Sequence, residues 1–143
     1  MLRTVVLAPV PCVHLESAST VPSLSDVVAF GSSQEGVPNL PIGVPVFIYA
    51  SLPPHPLFKL GSVSWTGTLG AIVPAVQSGS RSGRHPDPAR RPPSAEATDK
   101  PFLFFWEVLG LKPLDPVRRL GEFKAKTFIG EAPRWPVAAE LDC

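Results

Sequence analysis

A chain of 143 residues, 44% hydrophobic and 17% charged, has the length and composition of one folded domain, able to bury a core without a metal or disulfide. Its net charge of +1 excludes wholesale electrostatic binding of nucleic acid and leaves only a local basic patch for that role. The 19 prolines exclude long helices and uninterrupted central strands, so short strands and ordered turns are expected.

From the N-terminus, Arg3–Val10 (RTVVLAPV) is β-branched and apolar, the pattern of a fully buried strand ended by Pro9 and Pro11. The stretch Leu2–Val13 has one early arginine and an apolar run, as a signal peptide does. The two prolines interrupt it and no clear small-x-small cleavage site follows, so a first strand is the better reading. Ser23–Phe30 (SLSDVVAF) admits two readings. One is a short helix with Ser23 as N-cap and Asp26 at N3; the other is a strand at Val27–Phe30. Gly31–Gly43, rich in Gly, Ser, Pro and Asn, is expected to be loop.

The centre of the chain is Gly43–Pro74. Val46, Ile48 and Ala50 alternate with Phe47, Tyr49 and Ser51, the period of a strand. After a proline-rich loop, Val63, Trp65, Gly67, Leu69, Ala71 and Val73 alternate with small and polar residues, as in a sheet solvated on one side. Gln77–Lys100 has no hydrophobic periodicity and is rich in proline and arginine, which predicts a long, flexible loop without regular structure.

Phe102–Val108 (FLFFWEV) resumes the strand pattern with aromatics on both faces, so it is expected to be central and well covered. Asp115-Pro116 has the form of a helix start, with Val117, Leu120 and Phe123 as one buried face. Gly121 costs that helix about 1 kcal/mol relative to alanine and leaves it marginal. Trp135–Leu141 reads as a last strand lying near the first. The expected whole is a single domain over residues 1–143: mostly β, a small and mostly antiparallel barrel with one or two short helices.

Cys12 and Cys143 are too few for a structural zinc site, which needs about four N or S ligands. They pair only if the termini meet, and unpaired thiols in a reducing cytoplasm are the expected state. His14, His55 and His85 lie in unrelated loop contexts with no H-x-x-H spacing, so neither a metal nor another cofactor is expected. No apolar run approaches the roughly 20 residues that span a bilayer.

The run PVFIYASLPP followed by GSVSWTGTLGAIV resembles the core of the PUA-like superfamily, the ASCH and EVE domains above all. The segment FWEVLGLKPLDPVRRLGEF is similar to that superfamily's passage of strand, proline and short helix. The similarity covers Gly43–Val73 and Phe102–Phe123, about a third of the chain. The G-x-K-x-x-E-x-R element near the start of many ASCH domains is missing, since HLESAST at His14–Thr20 has a glutamate but no lysine. The resemblance implies a PUA-like β-barrel that binds RNA or a modified base.

On adjacent strands, Tyr49, Ser51, Trp65 and Trp106 would line a cleft able to stack a flipped or single-stranded base, with Lys59 at its mouth. The same aromatics also suit a core. Arg81, Arg84, Arg90 and Arg91, near His85 and opposed by Asp87 alone, form the candidate phosphate-binding cluster. The expected partners are RNA and single-stranded or modified DNA, with no membrane. Some ASCH relatives are amidohydrolases that use a lysine, a threonine and a glutamate, and Lys59, Thr66 and Glu107 are the set this chain offers. A protein–protein adaptor using the proline loops is the third reading. Catalysis is the weaker expectation, since no nucleophile, base and orienting group stand out together.

Overall fold

In the computed structural model, which describes residues 2–50, 62–98, 100–124 and 135–142, the β-branched N-terminal run forms strand β1 (Leu2–Val10). Pro11 then occupies the N-cap of helix α1 (Cys12–Ser19), whose inner face buries Leu15 and Ala18. A 3₁₀ turn at Pro22–Ser25 leads into β2 (Val27–Ser32). Of the two readings of Ser23–Phe30, the strand is the one found. Pro22 opens a single tight turn, and the β-branched pair Val27–Val28 joins the sheet. A further 3₁₀ turn at Val37–Asn39 precedes β3 (Pro45–Ala50) and β4 (Val63–Pro74).

β5 (Val76–Ser78) and β6 (Arg81–Arg84) form a small hairpin, followed by a 3₁₀ turn at Pro88–Arg90 and the single-turn helix α2 (Pro93–Glu96). The expectation that Gln77–Lys100 lacks regular structure is therefore corrected. Gly79, at φ 59°, makes the hairpin's reversal. The arginines offered as a phosphate-binding cluster are anchored by carboxylates and carbonyls. β7 (Phe104–Arg118), a 3₁₀ turn at Leu120–Glu122, β8 (Phe123–Lys124) and β9 (Val137–Asp142) complete the chain.

The predicted helix from Asp115–Pro116 is also corrected. β7 runs through both residues and stays paired with β4, Pro113 opposite Trp65 and Arg118 opposite Val63. Sheet pairing outweighs a helix already weakened by Gly121. Leu120 and Phe123 are buried as expected, whereas Val117 is exposed.

Seven strands lie in one sheet in the order β2-β7-β4-β3-β1-β9-β8. Neighbours are antiparallel except β1 and β3, which run parallel with Val6 opposite Val46 and Val10 opposite Ala50. The fold is mostly β, as expected. The described strands, however, form an open sheet with β2 and β8 as its edges, not the closed barrel. β9 does lie beside β1, Leu2 opposite Asp142 through Leu7 opposite Val137.

Both faces of the middle strands are covered. Val6, Ala8, Val46, Ile48, Trp106 and Val108 pack on one face beneath α1 and the Pro22–Ser25 turn. Val5, Leu7, Phe47, Tyr49, Phe123 and Leu141 pack on the other. The simple alternation expected of β4 is broken by register shifts against β7. Val63 consequently joins the second cluster while Trp65 and Leu69 join the first, although all three are odd-numbered. A Cβ on Gly67 would come within 2.4 Å of Val108 Cγ1, so this close approach of β4 to β7 requires glycine.

Trp106 is fully buried, 5.0 Å from Phe30 between ring centroids, and its indole N–H has no hydrogen-bond partner. Trp106→Ala is expected to lower unfolding free energy by about 3–5 kcal/mol, the range for emptying a large aromatic site. Trp106→Phe is expected to cost much less, because it also removes the buried unpaired donor. Urea denaturation of the two variants checks this, and equal losses would contradict it.

Candidate functional site

The aromatic residues expected to share a cleft are divided between the faces of the sheet. Tyr49 on β3 is buried in the second cluster beside Phe47, and burial raises its phenol pKa. Trp106 lies inside the opposite cluster and Trp65 packs against that same cluster. Trp65 and Ile72, the β4 partner of Trp106, are seven residues apart, roughly 20 Å along a strand. Tyr49 therefore shares no face of the sheet with the two tryptophans. Ser51 and Lys59 lie outside the described residues.

The four arginines are held by carboxylates and carbonyls. Arg81 Nη1 donates to Glu96 Oε2 at 3.2 Å, and its Nη2 donates to the carbonyls of Glu96 and Thr98 at 2.7 and 2.8 Å. Arg84 is buried, with Nη1 3.8 Å from Glu96 Oε1. Arg90 Nη1 donates to Glu107 Oε2 at 2.9 Å. Arg91 is buried over the Phe105 ring, 4.8 Å from its centroid, and its Nη1 donates to the Ala29 carbonyl at 2.8 Å. Burial lowers the Arg91 pKa to about 10, with Glu96 opposing the drop and Arg84 adding to it. These side chains tie the Arg81–Glu96 segment to β2 and β7, Arg84 and Arg91 buried and Arg81 and Arg90 still partly exposed.

Glu107 and His85 belong to the same network. His85 Nε2 donates to Glu107 Oε2 at 3.0 Å, while Nδ1 lies 2.9 Å from the Asp87 amide nitrogen and 3.0 Å from the Asp87 carbonyl oxygen. Of the hydrolase set, Glu107 is thus committed to His85 and Arg90, and the Thr66 hydroxyl donates to the Val46 carbonyl at 2.9 Å. Lys59 lies outside the described residues.

The concave surface with free polar groups is elsewhere, at the β8 end of the sheet. β9 buries Val137, Ala139 and Leu141 and leaves Ala138 and Glu140 facing out. Glu140 pairs with Thr4 of β1 on one side and with Lys124 of β8 on the other. Directly opposed residues share a face, so Lys124, Glu140 and Thr4 make one polar row across three strands. That row floors a groove of about 800 Å³, walled by Gln34, Asn39 and Leu40 and ended by Trp135. Trp135 is 40% exposed. The volume falls in the range of ligand sites, about 300–1,000 Å³.

Sequence reading missed this groove. One signal was present: Pro136 follows Trp135 and cannot donate to a ladder, so the indole precedes the strand and does not belong to its pattern. The rest of the groove arises from the pairing of β8, β9 and β1, which no local pattern encodes. Among the described residues no His, Cys, Asp and Glu cluster could hold a metal ion, and no described helix is long and apolar enough to cross a membrane. Cys12 is a free thiol donating to Glu16 at 3.5 Å, and Cys143 lies outside the described residues. No protein-family model matches the chain, and no curated protein matches it in sequence.

Two outcomes follow from the arginine network. Arg91→Ala leaves the buried Ala29 carbonyl without its donor and is expected to cost about 1–3 kcal/mol of stability, while Arg90→Ala, at the exposed rim, changes stability far less. Urea midpoints for both variants decide this. His14, 2.7 Å from Ser94 Oγ, has its pKa lowered by burial and by Arg91. The unfolded ring takes its proton near pH 6.5 and the folded ring only at lower pH, so stability falls as pH drops below about 6.5. His14→Asn should lose less stability than the parent between about pH 7.5 and pH 5; an equal loss would show that His14 contributes nothing to the acid side.

Proposed function

We propose that this protein is a binding module for nucleobases, taking single-stranded RNA or single-stranded or modified DNA as PUA-like domains do. The observation that carries the reading is Trp135, exposed at the end of a groove that also holds Thr4, Gln34, Asn39, Lys124 and Glu140 beside apolar residues such as Val37 and Leu40. An exposed indole offers a stacking face worth about 1–3 kcal/mol per base. The Gln34 and Asn39 amides each present a donor and an acceptor, the complement of an unpaired base edge. Among the described residues Lys124 is the sole cation lining the groove, and it pairs across strands with Glu140. Stacking and edge recognition therefore contribute more than phosphate attraction. A mostly β sheet flanked by short helices supports the PUA-like reading, and barrel closure is part of the proposal. Binding without turnover is favoured over hydrolysis because Thr66 and Glu107 are committed to structural bonds.

Titration of labelled oligouridylate and oligothymidylate against the parent, Trp135→Ala and Lys124→Ala tests the reading. Trp135→Ala should weaken binding by about 1–3 kcal/mol at every salt concentration. The parent's slope of log affinity against log salt should be shallow, about −0.7 for one phosphate contact, and flatter still in Lys124→Ala. Undiminished binding by Trp135→Ala, or no binding by the parent at low salt, would remove the proposal.

A further inference from the structure

Side chains that hydrogen-bond a ligand differ in how far they can discriminate between ligands. In the groove beside Trp135 the Gln34 and Asn39 amides each carry a donor and an acceptor, and the Thr4 hydroxyl acts as either. Such groups turn to suit what they meet, so they add affinity and little selectivity. Among the described side chains lining the groove, Lys124 and Glu140 alone have fixed polarity. The ammonium only donates and the ionised carboxylate only accepts. Both are exposed, and they stand directly opposite on β8 and β9, which sets their Cβ atoms about 4.5–5.5 Å apart.

A carboxylate repels phosphate, so its place in the floor of a nucleic-acid groove calls for a donor-rich base edge to meet it. The Watson–Crick edges differ there. Guanine presents N1–H and the N2 amine side by side, with the O6 acceptor next to them. Uracil and thymine present a single N–H between two carbonyl oxygens, and cytosine and adenine place a ring-nitrogen acceptor beside the amine. Glu140 therefore gains two charge-assisted hydrogen bonds from guanine and meets a repelling lone pair on each of the others. Lys124 has three donors, enough for O6 and a phosphate oxygen together. Trp135 does not stack that same base. Glu140 lies three residues beyond Val137 on β9, about 10 Å along the strand, and Trp135 precedes Val137. A strand that reaches both ends of the groove contributes at least two nucleotides.

We propose, on the nucleobase reading above, that the groove selects guanine at its Lys124–Glu140 end. Glu140 accepts from N1–H and N2–H, Lys124 donates to O6, and a neighbouring base of any kind stacks on Trp135. Selectivity of this kind comes as much from the lone pairs that Glu140 rejects as from the bonds it makes.

Labelled RNA pentamers, each with uridines flanking one central base, test this by titration at a single salt concentration. The guanine pentamer is expected to bind the parent at least about tenfold more tightly than the uridine, adenine or cytosine pentamers. Inosine keeps N1–H and O6 and lacks the N2 amine, and its pentamer should fall between those of guanine and uridine. Glu140→Gln replaces one acceptor oxygen by a donor at unchanged size and should bring the guanine-to-uridine affinity ratio close to one. Trp135→Ala should weaken every pentamer and leave that ratio as it is. Measurable but equal binding of the guanine and uridine pentamers, or an undiminished ratio in Glu140→Gln, overturns guanine selection and leaves the nucleobase reading in place. No binding of any pentamer removes both.

Discussion

The parallel pairing of β1 with β3 is the constraint on which the rest of the sheet depends. Val6 faces Val46 and Ala8 faces Ile48, and these side chains sit under α1 and the Pro22–Ser25 turn. Their neighbours Val5, Leu7, Phe47 and Tyr49 face the other cluster. Two strands buried on both faces read as near-continuous apolar runs, and a one-residue slip would exchange the contents of two differently shaped cores. With register set there, β4 and β7 extend the sheet to one side and β9 and β8 to the other. The parallel step also requires a crossover, and α1, the turn at Pro22–Ser25 and β2 supply it.

Those two sides are finished differently. On the β2 side the sheet edge is closed by charge. Arg91 donates to a carbonyl of the edge strand, and Glu107 on β7 receives His85 and Arg90. An edge strand with free backbone groups is a template for unwanted pairing, and covering it removes the hazard. Buried ion pairs add little net stability, since desolvation offsets most of the attraction. Their effect is to specify where an otherwise apolar-poor segment must lie.

How far this was legible in the sequence follows from the range of each interaction. β1, β3, β7 and β9 were legible because their apolar patterns are local and their burial is nearly complete. α1 was not: only Leu15 and Ala18 of Cys12–Ser19 are buried, and its N-cap Pro11 offers no capping side chain. The Asp115–Pro116 start misled because a sound local cap signal lost to a pairing with β4 some fifty residues away in sequence. The Gln77–Lys100 segment misled for a related reason. Its arginines look solvated when read locally, yet Glu107 lies 17 residues from Arg90 and Ala29 lies 62 residues from Arg91. The aromatics were placed on the right strands, but the expected cleft required Tyr49 and Trp106 to share a face, and alternation across β3, β4 and β7 sets them on opposite ones.

The contrast between the two ends of the sheet also bears on where recognition is to be sought. At the β2 end the cationic side chains the sequence offers for phosphate binding have internal partners, so an external anion must displace a carboxylate or a backbone carbonyl to reach them. Such displacement leaves a buried glutamate unpaired, a cost that opposes any gain from the new contact. At the β8 end the polar row of Thr4, Glu140 and Lys124 lies on a solvent-facing side of the strands, with two amides and an exposed indole around it. Groups already solvated lose less on meeting a ligand than groups that must first break an internal bond. Recognition built there exchanges water for ligand and leaves the folded core intact. In the Arg-rich stretch a new contact therefore competes with an internal bond, whereas at the groove beside Trp135 it competes only with water.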